Sequence, residues 1–138
     1  MNQEVVYQRE ETIDASEFRE LLVDSTLGER RPVGDPQRLE LMVRHANLIV
    51  TARVSGVLVG VARSLTDFAY CTYLSDLAVR RVFQRQGIGR ELIRQTMLLA
   101  PQAKLILLSA PAAVEYYPHI GMTRHEHCYT LGDANDLH

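Results

Sequence analysis

Three extended runs follow one another in the middle of this chain, and they constrain the fold more than any other feature of the sequence. The first two, residues 47–54 and 57–65, are rich in β-branched residues and are separated only by Ser55 and Gly56. Two such residues have the length and composition of a tight hairpin turn. The third run, residues 69–79, follows after a short connection. The sequence therefore predicts an antiparallel meander of three strands.

An edge strand and two helices are predicted before this meander. The strand covers residues 3–9, and Asp14 or Ser16 then offers an N-cap for the first helix. A turn-rich stretch, residues 28–36, leads to the second helix, for which Asp35 is the candidate cap. The predicted buried positions of the two helices are Phe18, Leu21, Leu22, Leu39, Met42 and Val43.

After the meander the order changes to strand, helix, strand. A helix is predicted over residues 88–100, and the apolar run 104–110 is typical of a strand that is buried on both faces. A short helix over 111–119 and a last strand over 122–131 complete the series. The sequence therefore predicts a mixed α/β fold, with a central, mostly antiparallel twisted sheet flanked by helices.

Length and composition restrict the class of protein. A chain of 138 residues with 46% apolar residues is expected to form one globular domain over residues 1–138. The net charge of −2 and the interleaving of basic with acidic residues argue against nucleic acid as a partner. No leader-like N-terminus or membrane-length apolar run is found, so we expect no membrane partner and a cytoplasmic protein. Cys71 and Cys128 belong to no CxxC pattern and are expected to be buried reduced thiols.

The most informative stretch is LAVRRVFQRQGIGR, residues 77–90, where a strand ends, a short loop turns and a helix begins at two glycines. The first N–H groups of a helix have no internal partner and lie at the positive end of its dipole, so this shape predicts an anion site. Gly87 and Gly89 would let a phosphate approach those groups. No Gly-Lys-Ser/Thr follows, and Gln84 to Gly87 lacks the first two glycines of a dinucleotide loop, so both standard phosphate loops are excluded.

The loop does resemble the Gln/Arg-x-x-Gly-x-Gly/Ala loop of the GNAT family of N-acetyltransferases. Here it reads QRQGIG, between the strand LSDLAV and the helix GRELI. A second segment, YYPHIGM at residues 116–122, is similar to that family's aromatic-Tyr-x-x-x-Gly-Phe segment. The resemblance covers residues 47–125, and it implies a GNAT-like fold whose strands are splayed by a bulge at an acetyl-CoA site.

The resemblance also implies roles for particular residues. The backbone of Leu77 to Val79 would lie along the pantetheine arm and donate an N–H to the acetyl carbonyl, and the loop would hold the pyrophosphate. Tyr117 would donate a proton to the departing CoA thiolate while an amine attacks directly in a ternary complex. The residues implied to bind the cofactor are Leu77, Ala78, Val79, Gln84, Arg85, Gln86, Gly87, Ile88, Gly89 and Arg90.

Three positions depart from the family's pattern. Arg81 stands where a proline often follows the strand, Ala110 stands where an Asn often helps to hold the pantetheine, and Met122 replaces the Phe of the Gly-Phe pair. The chain also ends soon after Tyr129, so the usual final strand is expected to be short, absent or supplied by a partner, and a homodimer is compatible with this.

Several alternatives stay open at this level. The chain could be a CoA-binding regulatory or structural module without turnover, or a nucleotide-binding protein. The acceptor is an unidentified small-molecule or peptide amine, and the candidate bases Tyr73, Ser75, Asp76 and Glu115 leave the general base unassigned. His125 and His127 are interpreted as strand residues and no metal is predicted. Arg30 and Arg31 either meet an acidic substrate or, as is commoner, are solvated.

Overall fold

The computed structural model describes residues 3–138 and divides into two compact units, the first ending at Leu108 and the second covering Ser109–His138. The expectation of a single domain over the whole chain stays a prediction. None of the helices within residues 3–138 combines the length and the apolar character that crossing a bilayer requires.

The first unit is a five-stranded sheet with helices on both faces. The strands lie in chain order, neighbours from β1 to β4 are antiparallel, and only the last pair is parallel. The predicted mixed α/β fold with a mostly antiparallel sheet is confirmed. The elements are β1 (Val6–Glu10), α1 (Ala15–Asp24), α2 (Pro36–His45), β2 (Leu48–Val54), β3 (Val57–Thr66), β4 (Cys71–Val79), α3 (Ile88–Leu99) and β5 (Lys104–Ile106).

Local sequence signals account for these boundaries. Ser55 and Gly56 both have positive φ, 50° and 80°, as a two-residue hairpin turn between right-twisted strands requires. The Asp14 carboxylate accepts hydrogen bonds from the N–H groups of Ser16 and Glu17 and so caps α1. Asp35 caps α2 in the same way. The predicted hairpin and the Asp35 cap are confirmed, and of the two candidate caps for α1 the structure uses Asp14.

The sheet separates two apolar layers. The face covered by α1 and α2 buries Phe18, Leu21 and Leu22 against residues of β2 and β3. The face covered by α3 buries Ile88 and Leu92. Gly60 on β3 allows this close packing, because a Cβ there would lie 3.1 Å from Leu92 Cδ1 and 3.2 Å from Ile88 Cγ2. The start of α3 is therefore held against the centre of the sheet.

Two expectations about the end of the first unit are wrong. β5 is not buried on both faces, since Lys104 and Ile106 are exposed and Leu105 is half-buried. The strand is short and has a neighbour on one side only, which leaves its side chains little to pack against. Cys71 is also exposed, because it is the first residue of β4 and borders the β3–β4 turn, where the Asp67 carboxylate accepts its N–H.

The second unit contains short helical turns and no strand. Its longest helix is α4 (Tyr116–His119), preceded by a 3₁₀ turn at Pro111–Ala113. Residues 122–131, predicted as a strand, have no strand structure, and Cys128 is exposed rather than buried. The run Arg124-His125-Glu126-His127 at the centre of that segment offers almost no apolar surface, and an unpaired strand is not stable without it. The predicted final strand is therefore wrong.

Candidate active site

The parallel end of the sheet is splayed. β5 pairs with β4 only through Cys71, Thr72 and Tyr73, and the remainder of β4 continues past it. A bulge lies on β4 directly after this pairing, since Ser64 is opposite Leu74 whereas Arg63 is opposite Asp76, which leaves Ser75 without a partner in the β3–β4 ladder. A bulge and a short parallel pairing together open the edge of β4 over its last residues.

The backbone direction of β4 shows which peptide groups line this open edge. Arg80 N–H donates to Val59 O on β3 at 2.8 Å. Because peptide groups alternate in direction along a strand, Ala78 also faces β3, whereas Leu77 and Val79 face the other way. The Val79 carbonyl is occupied, since the Gln84 side-chain amide donates to it at 2.9 Å. The N–H groups of Leu77 and Val79 are therefore directed into the gap beside β4.

The loop after β4 ends at a helix N-terminus that has no side-chain cap. Gly87, at the N-cap of α3, has φ 83° and offers no side-chain oxygen to the first-turn amides. Glu91 N–H donates to Gly87 O at 3.0 Å, so the amides of residues 88–90 precede the first helical hydrogen bond. A Cβ at Gly87 would meet no atom within 4 Å, so open space adjoins this end of the helix. The arrangement is suited to an anion.

The loop is held in place by its own contacts. Arg81 N–H donates to the Asp24 carboxylate at 2.9 Å, and Arg81 Nε donates to the Asp24 carbonyl at 3.0 Å, which fixes the loop to the end of α1. Arg85 has φ 63°, which lies in the left-handed region that residues other than glycine rarely adopt. A cleft of about 350 Å³ adjoins the loop, and its lining residues are Ser25, Thr26, Arg81, Gln84 and Arg85.

Three further residues of the predicted cofactor site differ in their surroundings. Gln86 donates to Val82 O at 3.3 Å and so contributes to the loop's own structure. Arg90 is exposed in the first turn of α3, and Ile88 beside it is buried in the α3 core. The structure therefore brings the residues predicted for cofactor binding together at one end of β4, with Ile88 as the anchor of the loop rather than a polar contact.

Tyr117, the predicted proton donor, lies in α4 of the second unit. Its ring packs edge to face with that of Tyr116, with the centroids 5.2 Å apart. Burial, and to a smaller extent the neighbouring Tyr116, raises the pKa of Tyr117 above its ordinary value of 10.0. The hydroxyl is therefore protonated at neutral pH, as a general acid must be.

A buried cluster of Arg31, Arg63 and Asp76, here called the bulge cluster, was missed by sequence reasoning. Both arginines donate through Nε to the Asp76 carboxylate, one to each oxygen, and Asp76 is 0% exposed. Asp76 is therefore not available as a general base, and Arg31 is not simply solvated. The sequence marks two members of the cluster, because Arg63 and Asp76 are the charged residues of β3 and β4, but it does not indicate that they meet Arg31.

The remaining residues considered from the sequence differ in exposure and in contacts. Tyr73 is half-buried on β4, Glu115 is exposed in the second unit, and Arg30 is exposed as the sequence suggested. Ser75 accepts a hydrogen bond from Arg63 through its hydroxyl. Within residues 3–138 no group of three or more His, Cys, Asp or Glu side chains is placed to hold a metal ion. The structure thus leaves the general base unassigned.

The comparison with known proteins identifies the family. The model of the acetyltransferase (GNAT) family matches residues 15–122. This chain therefore belongs to the GNAT family of acetyltransferases. No curated protein matches the chain in sequence.

Solved structures share the fold at low sequence identity. A probable acetyltransferase from methicillin-resistant Staphylococcus aureus superposes with a TM-score of 0.78 at 16% identity, covering 94% of this chain and 98% of that one. An aminoglycoside acetyltransferase from an uncultured soil sample, in complex with trehalose, gives 0.68 at 20% identity, covering 94% and 95%. The aminoglycoside N-acetyltransferase AAC(6′)-Iy in complex with CoA gives 0.73 at 13% identity, covering 97% of each chain. These similarities establish the fold and leave the acceptor open.

Proposed function

We propose that this chain is an N-acetyltransferase that transfers the acetyl group of acetyl-CoA to a primary amine by direct attack. The observation that carries the proposal is the conjunction, at one end of β4, of outward-directed N–H groups at Leu77 and Val79 with an uncapped helix N-terminus at Gly87. A long ligand with a carbonyl near one end and a pyrophosphate along its length matches that pair of features. The donor types present therefore fit CoA.

Each group of residues has a separate proposed role in the reaction. Bound acetyl-CoA supplies the thioester, the substrate's reactive group. The amides of residues 87–90, with Arg85 and Arg90, are suited to holding the pyrophosphate by charge and by hydrogen bonds. An N–H of Leu77 or Val79 would donate to the acetyl carbonyl and stabilise the negative charge that develops there on attack. Tyr117 would protonate the leaving thiolate.

The acceptor is proposed to be a small-molecule or peptide amine. Two of the structurally similar proteins are aminoglycoside acetyltransferases. Similarity below 25% identity does not transfer a substrate, so aminoglycosides are the first members of a panel rather than a conclusion. The panel also contains arylalkylamines, amino sugars and a peptide with a free amine, with thiol release as the readout.

Ligand-dependent thermal stability tests the cofactor site directly. Acetyl-CoA, CoA, ATP and NAD are titrated separately, because a ligand that binds only the folded state stabilises it by an amount set by its concentration over its Kd. We expect shifts with acetyl-CoA and CoA alone. Equal shifts with ATP or NAD would favour a nucleotide-binding protein, and no shift with either CoA compound at saturation would refute the proposed cofactor.

Removing the Tyr117 hydroxyl tests its role. Tyr117→Phe is expected to lower kcat by about 10²-fold or more, with CoA affinity unchanged, because only protonation of the leaving group is lost. Tyr129→Phe in the same unit is the matched control, since Tyr129 is 89% exposed and has no proposed role. An equal loss in both variants would contradict the assignment.

A second candidate is a CoA-binding module without turnover. It is favoured by Ala110, which offers only a methyl group where related proteins often place an Asn. In that case CoA would stabilise the protein, no amine of the panel would release thiol, and Tyr117→Phe would bind CoA as the parent does.

A further inference from the structure

The bulge cluster surrounds the extra residue of β4. Arg31 Nη2 donates to Ser75 O at 2.7 Å, and Arg63 Nη2 donates to the Ser75 hydroxyl at 3.0 Å. A residue inside a bulge has lost its ladder partners and needs others. Here the carbonyl and the hydroxyl of Ser75 are held by the two guanidiniums that also hold Asp76. The conformation of the bulge therefore depends on the cluster.

The cluster also connects β4 to the segment between α1 and α2. Arg31 lies in that segment, just after a 3₁₀ turn (Leu27–Arg30), and its Nη1 donates to Arg30 O at 2.8 Å. Arg63 Nη1 donates to Met42 O in α2 at 3.0 Å. Each guanidinium thus joins three groups, and the bulge cannot change its shape without moving the α1–α2 segment.

Stability alone is a poor explanation for this arrangement. Removing two guanidiniums and a carboxylate from water has a large desolvation cost, and buried ion pairs often stabilise a fold no better than apolar residues of the same volume. The side chains of Arg63, Asp76 and Arg31 are 6%, 0% and 20% exposed, and two positive charges face one negative charge. The position of the cluster is informative, because Leu77 follows Asp76 directly.

We propose that Arg31, Asp76 and Arg63 are positioning residues: they hold the Ser75 bulge and the α1–α2 segment in a single arrangement and thereby orient the Leu77 and Val79 N–H groups toward the acetyl carbonyl. This inference rests on the proposed N-acetyltransferase function. The N–H group directed at the acetyl carbonyl has no such partner in free CoA, so the expected effect is on the reaction step rather than on the affinity for CoA.

The test compares Arg31→Gln with Arg30→Gln. The two variants lose the same charge from adjacent residues, but Arg30 is exposed and its side chain is outside the cluster. For Arg31→Gln we expect kcat to fall by about 10- to 100-fold, because a misplacement of about 1 Å at a reacting group has effects of this size, while the Kd of CoA stays within about 2-fold. Arg30→Gln should match the parent in both. Arg31→Lys should recover little of the loss, since one ammonium cannot reproduce the three-way contacts.

A second readout does not depend on turnover. Hydrogen exchange is measured over residues 27–35 and 74–80, and Arg31→Gln should accelerate both segments together by about tenfold, whereas Arg30→Gln should change neither. Unchanged exchange over 74–80 in Arg31→Gln would overturn the inference, as would a loss of kcat matched by an equal loss of CoA affinity.

The two hypotheses can fail separately. A parent protein that binds CoA but acetylates no amine overturns the proposed function and the catalytic consequence drawn from it, while hydrogen exchange still decides whether Arg31 holds the bulge. An active parent with an unaffected Arg31→Gln variant leaves the proposed function standing and overturns the positioning role.

Discussion

Two clusters of arginine and carboxylate lie in the same sheet, and they differ in access to water. In the β1 cluster (Glu10, Glu17 and Arg53) the Arg53 guanidinium donates to both Glu10 oxygens, at 2.8 and 3.1 Å, and its Nη1 is 3.0 Å from Glu17. Its side chains are 17–31% exposed, whereas in the bulge cluster Asp76 is 0% and Arg63 6% exposed and Arg31 alone, at 20%, reaches solvent. Water can replace a lost partner in the β1 cluster, but it does not reach Asp76 and has little access to Arg63. The comparison predicts that chemically similar substitutions have unequal effects.

The largest effect is expected for Asp76→Ala. This change leaves the buried Arg63 guanidinium without a counter-charge beside the partly exposed Arg31, and removing one partner of a buried ion pair typically destabilises a fold by about 3–5 kcal/mol. Glu10→Ala, in the β1 cluster, should cost only about 1 kcal/mol, since the remaining Arg53 can be hydrated. Urea unfolding of both variants measures the difference. Equal losses would show that burial does not distinguish the clusters, and Asp76→Asn serves if Asp76→Ala does not fold.

A smaller effect concerns pH. Burial by itself would raise the pKa of Glu10, but hydrogen bonds from Arg53, Thr51 and Gln8 outweigh it and hold the pKa below the ordinary 4.5. A lowered folded-state pKa means that the stabilisation is present above 4.5 and is lost as the pH falls through the folded-state value. Glu10→Gln should therefore flatten the dependence of the unfolding free energy on pH below about 5. A slope identical to that of the parent would contradict this.

The effect of salt on the unfolding free energy should also differ between the two clusters, by a smaller amount. Exposed pairs are screened, with a Debye length near 10 Å at about 0.1 M and 3 Å at about 1 M, whereas buried pairs are screened much less. The destabilisation caused by Glu10→Gln should thus shrink between low and high sodium chloride, and that caused by Asp76→Asn should not. A similar reduction in both would place Asp76 in contact with solvent, contrary to the structure.

The smallest effect is expected at Asp67, a carboxylate held by no arginine. Its Oδ1 accepts from the backbone N–H groups of Tyr70, Ala69 and Cys71, which lower its pKa to about 2. Its contribution is present above 3.8 and is lost as the pH falls toward 2. Asp67→Asn keeps an acceptor for the same turn, so it should change stability only slightly at pH 7 and remove the titration between these values.

Structural features that depend on a few adjacent residues can be predicted from the sequence. The hairpin at Ser55-Gly56 and the cap at Asp35 depend on a few adjacent residues and are confirmed, and of the two candidate caps for α1 the structure uses Asp14. The strand expected over 122–131 and the burial expected for residues 104–110 depended on a neighbouring strand, whose presence is not encoded locally. Alternation can show that a segment is able to form a strand, but not that a partner exists.

The same distinction between local and long-range features applies to the candidate site. The loop of Gln84 to Arg90 could be found because its glycines and the helix start are contiguous. The bulge cluster could not, since Arg31, Arg63 and Asp76 come from three separate segments. Their meeting depends on how the α1–α2 segment packs against β3 and β4, and no spacing along the chain encodes it. For that reason the sequence leaves open whether Arg31 meets a substrate or is solvated, and it offers Asp76 as only one of several candidate bases.

The open edge of β4 consists of peptide groups rather than side chains, and this has an evolutionary consequence. The N–H groups of Leu77 and Val79 are supplied by any amino acid except proline, so drift at these positions changes packing and leaves the hydrogen-bond donors intact. A site of this construction can persist while the sequence around it diverges almost completely. The fold itself tolerates such divergence, since a structure only 13% identical in sequence superposes on 97% of this chain.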